Sequence, residues 1–481
     1  MQAHRLALVA LLGAGPAHSA AAQAAPPIAF VHATVIDVEQ GRAAPGMTVV
    51  VEHGRITALG ADAGVTAPKG ARVIDASGKF LIPGLWDMHV HAATPGLDAL
   101  FLPLLVANGI TGVREMFSRL DWVSSAKSRV RSGELVGPRI VGSGHILDGK
   151  PAVWQGSVTV ATAEEARRAV DSLAAGGADF IKVYSRLLPE AYYAAAAEAK
   201  GRGVPFAGHV PTLVSAADAS DSGQRSIEHL TGIPLACSTA ERQSLADLAA
   251  AVHSDAGWEA AGRLQRAGLR AMLDAYSPER CRELAARFVT NGTWMVPTIQ
   301  VLHSTAYLDD PALARDPRLA WIFPGHRASW DPKTDFRFRM LTKEDWANRK
   351  LLYARQLEII TLLHKEGVKF LAGTDLSNPF IYPGFSLHDE LADLVRTGFT
   401  PAEALRAATI DPARYLGAAD SLGSIAEGKR ADLVLLEANP LADIRNTTRI
   451  AAVVADGRLF DAAAIRKLLD EGKTKARTPM R

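Results

Sequence analysis

The hexapeptide Trp86-Asp87-Met88-His89-Val90-His91 places two imidazoles two residues apart at the end of an apolar run, Phe80-Leu81-Ile82-Pro83-Gly84-Leu85. On a strand, residues i and i+2 point to the same side, so a buried strand here would present His89 and His91 as a metal clamp. Further along the chain, other ligand-type residues end or closely follow short apolar runs. Phe180-Ile181 precedes Lys182, Val204 to Gly208 precedes His209, Ser226-Ile227-Glu228 precedes His229, and Val368 to Thr374 precedes Asp375. Polar side chains at the C-terminal ends of successive strands predict an α/β fold, a parallel barrel with its active site at the mouth. Each histidine taken alone would read as a structural, hydrogen-bonded imidazole, and Lys182 alone as an ion-paired lysine. The joint occurrence of all six positions argues for a metal site.

This residue set resembles that of the amidohydrolase superfamily, and most closely its binuclear, carboxylated-lysine branch, the prolidase-like and imidazolonepropionase-related group. The resemblance runs from Ala29 to about Phe460. It implies a distorted TIM (β/α)8 barrel with a small composite β-sandwich domain. It further implies His89 and His91 as ligands from strand one, Lys182 as a bridging N6-carboxylysine, His209 and His229 as ligands from strands five and six, and Asp375 as the strand-eight acid. Two divalent metal ions would be held. Zinc suits four imidazoles with oxygen ligands, and manganese or cobalt are the substitutes.

At 481 residues the chain can bury a barrel of about 250 residues plus a second, smaller domain. Its net charge of +2, with Lys and Arg scattered rather than striped, gives no electrostatic case for nucleic acid. A small-molecule amide or peptide is the expected partner, and a homo-oligomer is compatible with the sequence. Arg5, the apolar stretch Leu6 to Leu12 and Ala22-Gln23-Ala24 read as a secretory signal over residues 1–24, so a periplasmic or secreted enzyme is expected. No later segment has the apolar length of a membrane span. Cys237 and Cys281 are the only cysteines, and the sequence leaves open whether they pair or are two buried thiols.

Residues 25–80 alternate β-rich runs with turns, and Glu52-His53-Gly54-Arg55 carries the glycine of a tight hairpin. A second β-rich block, Gly423 to Leu436 and Ile450 to Phe460, returns near the other end. The two blocks, 25–80 and 417–462, are expected to assemble one β-sandwich around a barrel over 81–416, with a helical tail over 463–481. Helical signatures fall at Ala163 to Leu173, at Pro189 to Lys200 and after Thr400, where Thr400, Pro401 and Glu403 form a capping box. Strand seven is placed at Thr293 to Thr298. The stretch 234–352 exceeds one barrel unit and is read as a helical insertion followed by an excursion with Trp321, Trp330 and Trp346. That excursion is expected to be either a lid or substrate wall, or packing alone.

Two metals held by imidazole, carboxylate and carbamate would share a hydroxide, lower its pKa and polarise a carbonyl. Asp375, in Ala372-Gly373-Thr374-Asp375, would accept the proton and pass it to the leaving amine. His145 and Tyr184 are further catalytic candidates from their places after strands three and four, and His303 follows strand seven. Asp87 is expected to orient a histidine or close the strand array. The expected reaction is cleavage of an amide or peptide C–N bond in a dipeptide, Xaa-Pro or N-acyl amino acid. Cyclic-amide hydrolysis or deamination is the alternative, although His209 is followed by Val210-Pro211-Thr212 rather than by a nearby glutamate. A catalytically silent scaffold is the non-enzymatic alternative.

Overall fold

The computed structural model describes residues 26–478, so the expected signal over residues 1–24 lies outside the described residues. Both chain ends build one mixed sheet of eight strands. Its order from one edge is Arg458–Asp461, Ile450–Ala455, Leu433–Leu436, Phe80–Pro83, Ile28–Asp37, Arg42–Glu52 and Arg55–Ala61, with Arg72–Asp75 also paired to Ile28–Asp37. The two ends meet where Leu433–Leu436 lies antiparallel on Phe80–Pro83. Alternating apolar residues such as Phe30, Val49, Val51, Leu81, Leu433 and Val454 give this sheet a core of its own. The hairpin between Arg42–Glu52 and Arg55–Ala61 turns through His53 and Gly54, both at positive φ (51° and 73°), as a two-residue type I′ turn requires.

The apolar run before the histidine pair is two strands rather than one. Phe80–Pro83 belongs to the mixed sheet, whereas Leu85–Val90 starts a parallel sheet with Ile110–Glu115 and Arg139–Gly142. The chain changes sheets at Gly84, where a Cβ would lie 2.0 Å from Thr111 Oγ1, so only glycine fits.

A second parallel sheet has seven strands in the order Val158–Thr159, Ile146–Asp148, Ile181–Val183, Phe206–Gly208, Ser226–Glu228, Trp294–Val296 and Lys369–Phe370. These strands are two or three residues long and almost wholly buried. That explains their apolar, non-alternating sequence. Backbone hydrogen bonds tie the two parallel sheets together on both sides. Asp179 N donates to Gly142 O (3.0 Å), Met88 N to Ala372 O (2.9 Å) and Asp375 N to His89 O (2.8 Å). Asp87 adds to the last of these seams, accepting from Thr374 N (3.0 Å) and Thr374 Oγ1 (2.6 Å). Helices alternate with the strands, and their starts follow the expected signals. Thr162 caps Ala163–Ala175, and Thr400 with Glu403 forms a capping box on Pro401–Ala407.

The long stretch between the last strands is helical on its first side. Ile233–Ala236, Glu241–Val252, Gly257–Asp274 and Pro278–Asn291 precede Trp294–Val296. Cys237 and Cys281 are joined in a disulfide with their Cα atoms 4.5 Å apart, which settles the pairing left open by sequence. The bonds Ser277 N to Cys237 O (2.8 Å) and Thr239 N to Ala275 O (2.9 Å) close the base of the same hairpin. Of the three tryptophans in the excursion, only Trp330 reaches the large central cavity. Trp321 donates from Nε1 to Leu469 O (2.9 Å), and Trp346 stacks on Phe338. His303 lies on Ile299–Ala306 and stacks on Tyr307, away from that cavity. No helix among the described residues is long and apolar enough to cross a membrane.

Candidate metal centre

His89, His91, Lys182, His209, His229 and Asp375 all line one cavity of about 880 Å³, at the C-terminal ends of the parallel strands. His89, His229 and Asp375 each direct one ligand atom to a common point, all within 4.8 Å of one another. Asp375 sits at the centre. Its Oδ1 is 2.9 Å from His91 Nε2 and 3.5 Å from His89 Nε2, and its Oδ2 is 3.6 Å from His229 Nε2. The ring centroids of His209 and His229 are 5.0 Å apart, and those of His89 and His91 are 5.4 Å apart.

The far nitrogens of the rings are tied down, which fixes what the near ones can do. Glu228 Oε2 lies 2.8 Å from His89 Nδ1, and a buried carboxylate only accepts, so Nδ1 carries the proton and Nε2 a lone pair. Thr298 gives its hydroxyl proton to Pro297 O (2.7 Å), so its oxygen accepts from His229 Nδ1–H (2.6 Å) and again leaves Nε2 free. His209 Nδ1 is 2.8 Å from Ser185 Oγ. Burial is the largest influence on these rings, with Lys182 next for His89 and His209. It pushes both well below the ordinary histidine value and His229 to about 4, keeping the three imidazoles neutral. Burial raises Asp375, but His229 and His91 outweigh it and hold the carboxylate below its usual range.

Lys182 is 1% exposed, and among the described residues its Nζ has no hydrogen-bond partner. Burial brings its pKa down to about 8. A buried ammonium without an acceptor is costly. At that value a share of the lysine is free amine at neutral pH, the form that takes up carbon dioxide, and with imidazoles and a carboxylate around it the donor set fits a metal centre. His91 Nδ1 is likewise without a partner, 3.8 Å from Glu115 Oε1.

Three residues of the site hold left-handed backbone conformations: His229 (φ 57°), Thr298 (49°) and Asp375 (60°). Strain of this kind in non-glycine residues persists where surrounding structure fixes it, and it concentrates at functional sites. Beneath the site, Glu228 takes three hydrogen bonds, from His89, from Arg114 Nη2 (2.8 Å) and from Ser226 Oγ (2.6 Å). Arg114 in turn donates to Met88 O (2.8 Å) and Tyr415 Oη (2.9 Å). Glu115 accepts from Ala92 N (2.6 Å) and Ala93 N (2.9 Å), fixing the loop after His91, and burial raises its pKa to about 7. Sequence alone does not single out Arg114, Glu115 and Glu228 as support for the histidines. The available signal is a charge at the end of a short run around β-branched residues, Ile110 to Val113 and Ser226-Ile227, that the fold buries throughout.

His145 and Tyr184 also line the cavity. His145 bonds Gly156 O through Nδ1 (2.8 Å), which leaves Nε2 as an acceptor. Tyr184 stacks on His209 at 3.9 Å and accepts from Trp154 Nε1 (2.8 Å), and burial raises its pKa, so it keeps its own proton. Arg119 and Arg337 also line the wall, each already paired with an aspartate: Arg119 donates to Asp121 (3.0 and 2.9 Å), and Arg337 to Asp335 (3.1 and 2.6 Å) and to Asn378 Oδ1 (3.0 Å).

The Amidohydrolase family model matches residues 80–460. The fold is similar to that of the bottromycin amidohydrolase AH, with TM-score 0.71 and 26% identity over 94% of this chain and 90% of that one. It is also similar to a putative prolidase from Bifidobacterium longum, with TM-score 0.64 and 25% identity over 93% of this chain and 99% of that one. Among curated relatives, an adenine deaminase of Paracoccus denitrificans is 37% identical over 79 residues, 16% of this chain and only 13% of that protein.

Proposed function

Because the chain belongs to the amidohydrolase family, we propose that it is a metal-dependent hydrolase of an amide or peptide C–N bond in a dipeptide, Xaa-Pro or N-acyl amino acid. In this reading the two parallel sheets are arcs of one distorted (β/α)8 barrel over residues 81–416. The eight-stranded sheet around its separate core is the β-sandwich, built from residues 25–80 and 417–462. The observation that carries the function is the convergence of His89, His91, His209, His229 and Asp375 on a cavity into which the partnerless buried amine of Lys182 opens.

His89, His91, His209, His229, Asp375 and a carboxylated Lys182 would hold two divalent ions. Bound there, such ions supply a water acidic enough to attack at neutral pH and polarise the substrate carbonyl. Asp375, with a pKa below the usual carboxylate value and so ionised at neutral pH, takes the proton of the attacking water and returns it to the leaving nitrogen as the C–N bond breaks. Tyr184, still protonated, donates to the carbonyl oxygen as charge builds on it, and His145 accepts from the substrate through Nε2. The strained φ of Asp375 and His229 keeps both side chains aimed at the centre. The disulfide Cys237–Cys281 supports a periplasmic or secreted location, because such bonds persist in oxidising compartments.

The test is a screen of dipeptides and N-acyl amino acids with metal-loaded protein, following released amine. Metal-dependent release from a carboxylate-bearing amide is expected. Release of ammonia from adenine instead would favour a deaminase, the activity named for the short match in Paracoccus denitrificans.

A further inference from the structure

Behind the wall of the metal centre lies a second cavity, of about 660 Å³, within the size range of small-molecule sites. The partition is made by strand ends whose successive residues face opposite ways. Tyr184 and His209 line the first cavity, while their neighbours Ser185 and Val210 line the second. His229 lines both, so the two spaces adjoin at a candidate ligand.

The opposite wall is the helix Gly257–Asp274, whose Trp258, Leu269 and Met272 face the cavity. Only Ala261 and Leu273 of its eighteen residues are buried, so its apolar side is spent on the cavity rather than on a core. The disulfide at the base of the hairpin, between Cys237 and Cys281, keeps the helix over this space. Two glycines interrupt the helix interior, Gly262 and Gly268, both on the cavity wall. Glycine weakens a helix, and packing does not require it here. A Cβ at Gly268 would meet nothing within 4 Å, and one at Gly262 only Arg266 Nη1 at 3.9 Å. The missing side chains leave the cavity wide.

We infer that this cavity is a second substrate subsite, receiving a long or bulky hydrocarbon arm on the acyl side of the scissile amide, which passes His229 to lie under the helix Gly257–Asp274. The inference rests on the amide-hydrolase reading for the bond that is cut. Its binding chemistry, the apolar side chains of Trp258, Leu269 and Met272 across from a residue shared with the metal centre, with Arg186, Glu241 and Asp247 also on the wall, stands on the geometry of the cavity alone.

The probes are dodecanoate, the acid that hydrolysis of an N-dodecanoyl amino acid would release, and acetate. Their binding to metal-loaded protein is measured by calorimetry below the micelle threshold, for wild type, Gly268→Phe and Gly262→Leu. Dodecanoate is expected to bind at least about tenfold more tightly than acetate, since burying successive methylenes is favourable. Either substitution should remove that gain and leave acetate binding and the circular dichroism spectrum unchanged. No gain for dodecanoate, or a gain that survives both substitutions, overturns the subsite. So does a dimer that dissociates in Gly268→Phe, which would make a second copy of the chain the occupant. Turnover of N-dodecanoyl- and N-acetyl-L-phenylalanine is read in parallel. If neither is cleaved while the binding pattern holds, the subsite stands and the proposed reaction fails.

Discussion

Asp375 is asked to do two things, to hold metal and to carry a proton, and one substitution separates them. Asn keeps an oxygen of similar shape but cannot take the proton, so Asp375→Asn is expected to keep the fold and at least one metal while turnover falls by about 10²- to 10⁴-fold. Steady-state kinetics with paired elemental analysis check this, and unchanged turnover would remove Asp375 from proton transfer. Lys182 is a different case, because the chemistry needs an anionic bridge rather than the lysine itself. Lys182→Ala should abolish activity, and added short-chain carboxylic acids should restore part of it. Full activity in Lys182→Ala without any additive would contradict the carbamate, and the orphaned Nζ would then need another explanation.

At the scale of elements, the helical hairpin between Ser226–Glu228 and Trp294–Val296 is held at its base by Cys237–Cys281, which encloses 44 residues of sequence separation. Cross-linking a loop of this length restricts the unfolded chain, and the double substitution Cys237→Ser, Cys281→Ser should cost about 2–4 kcal/mol in urea unfolding. A midpoint unchanged from wild type would mean the pairing contributes nothing to stability. The strand ends were legible in the sequence because a short buried strand delivers a polar residue as its apolar run ends, Lys182 after Phe180-Ile181, His209 after Phe206-Ala207-Gly208, and Glu228 with His229 after Ile227. The helix starts at Thr162 and Thr400 were legible because capping is local chemistry. Features that depend on distant chain were not legible. The split at Gly84 is set by Thr111, the tautomers of His89 and His229 by Glu228 and Thr298, and the seam at Asp87 by Thr374. Nor does any local pattern show that Trp330 alone of three tryptophans reaches the cavity, since that follows from how an irregular segment packs.

At the scale of the whole molecule, His388 joins three separate parts of the chain. It lies on Phe385–Arg396, its Nε2 meets Asn108 O at 3.1 Å, and its Nδ1 meets Thr447 Oγ1 at 2.9 Å. Burial lowers its pKa from the usual 6.5 to about 4, so the native fold keeps it neutral. Between those values the unfolded chain binds a proton that the folded chain does not. Stability is therefore full above about pH 6.5 and drains away as the pH falls toward 4, by on the order of 3 kcal/mol. Urea midpoints across that range should fall more steeply for wild type than for His388→Gln, and parallel profiles would contradict this role. The central claim, that this fold assembles a lysine-bridged pair of metal ions for hydrolysis, is tested most directly by counting metal. Purified protein is saturated with zinc, gently desalted and analysed for bound metal per chain, beside Lys182→Ala treated in the same way. The account predicts two tightly held ions in the wild type and a loss in Lys182→Ala. At most one ion in the saturated wild type, or two in the variant, would contradict it.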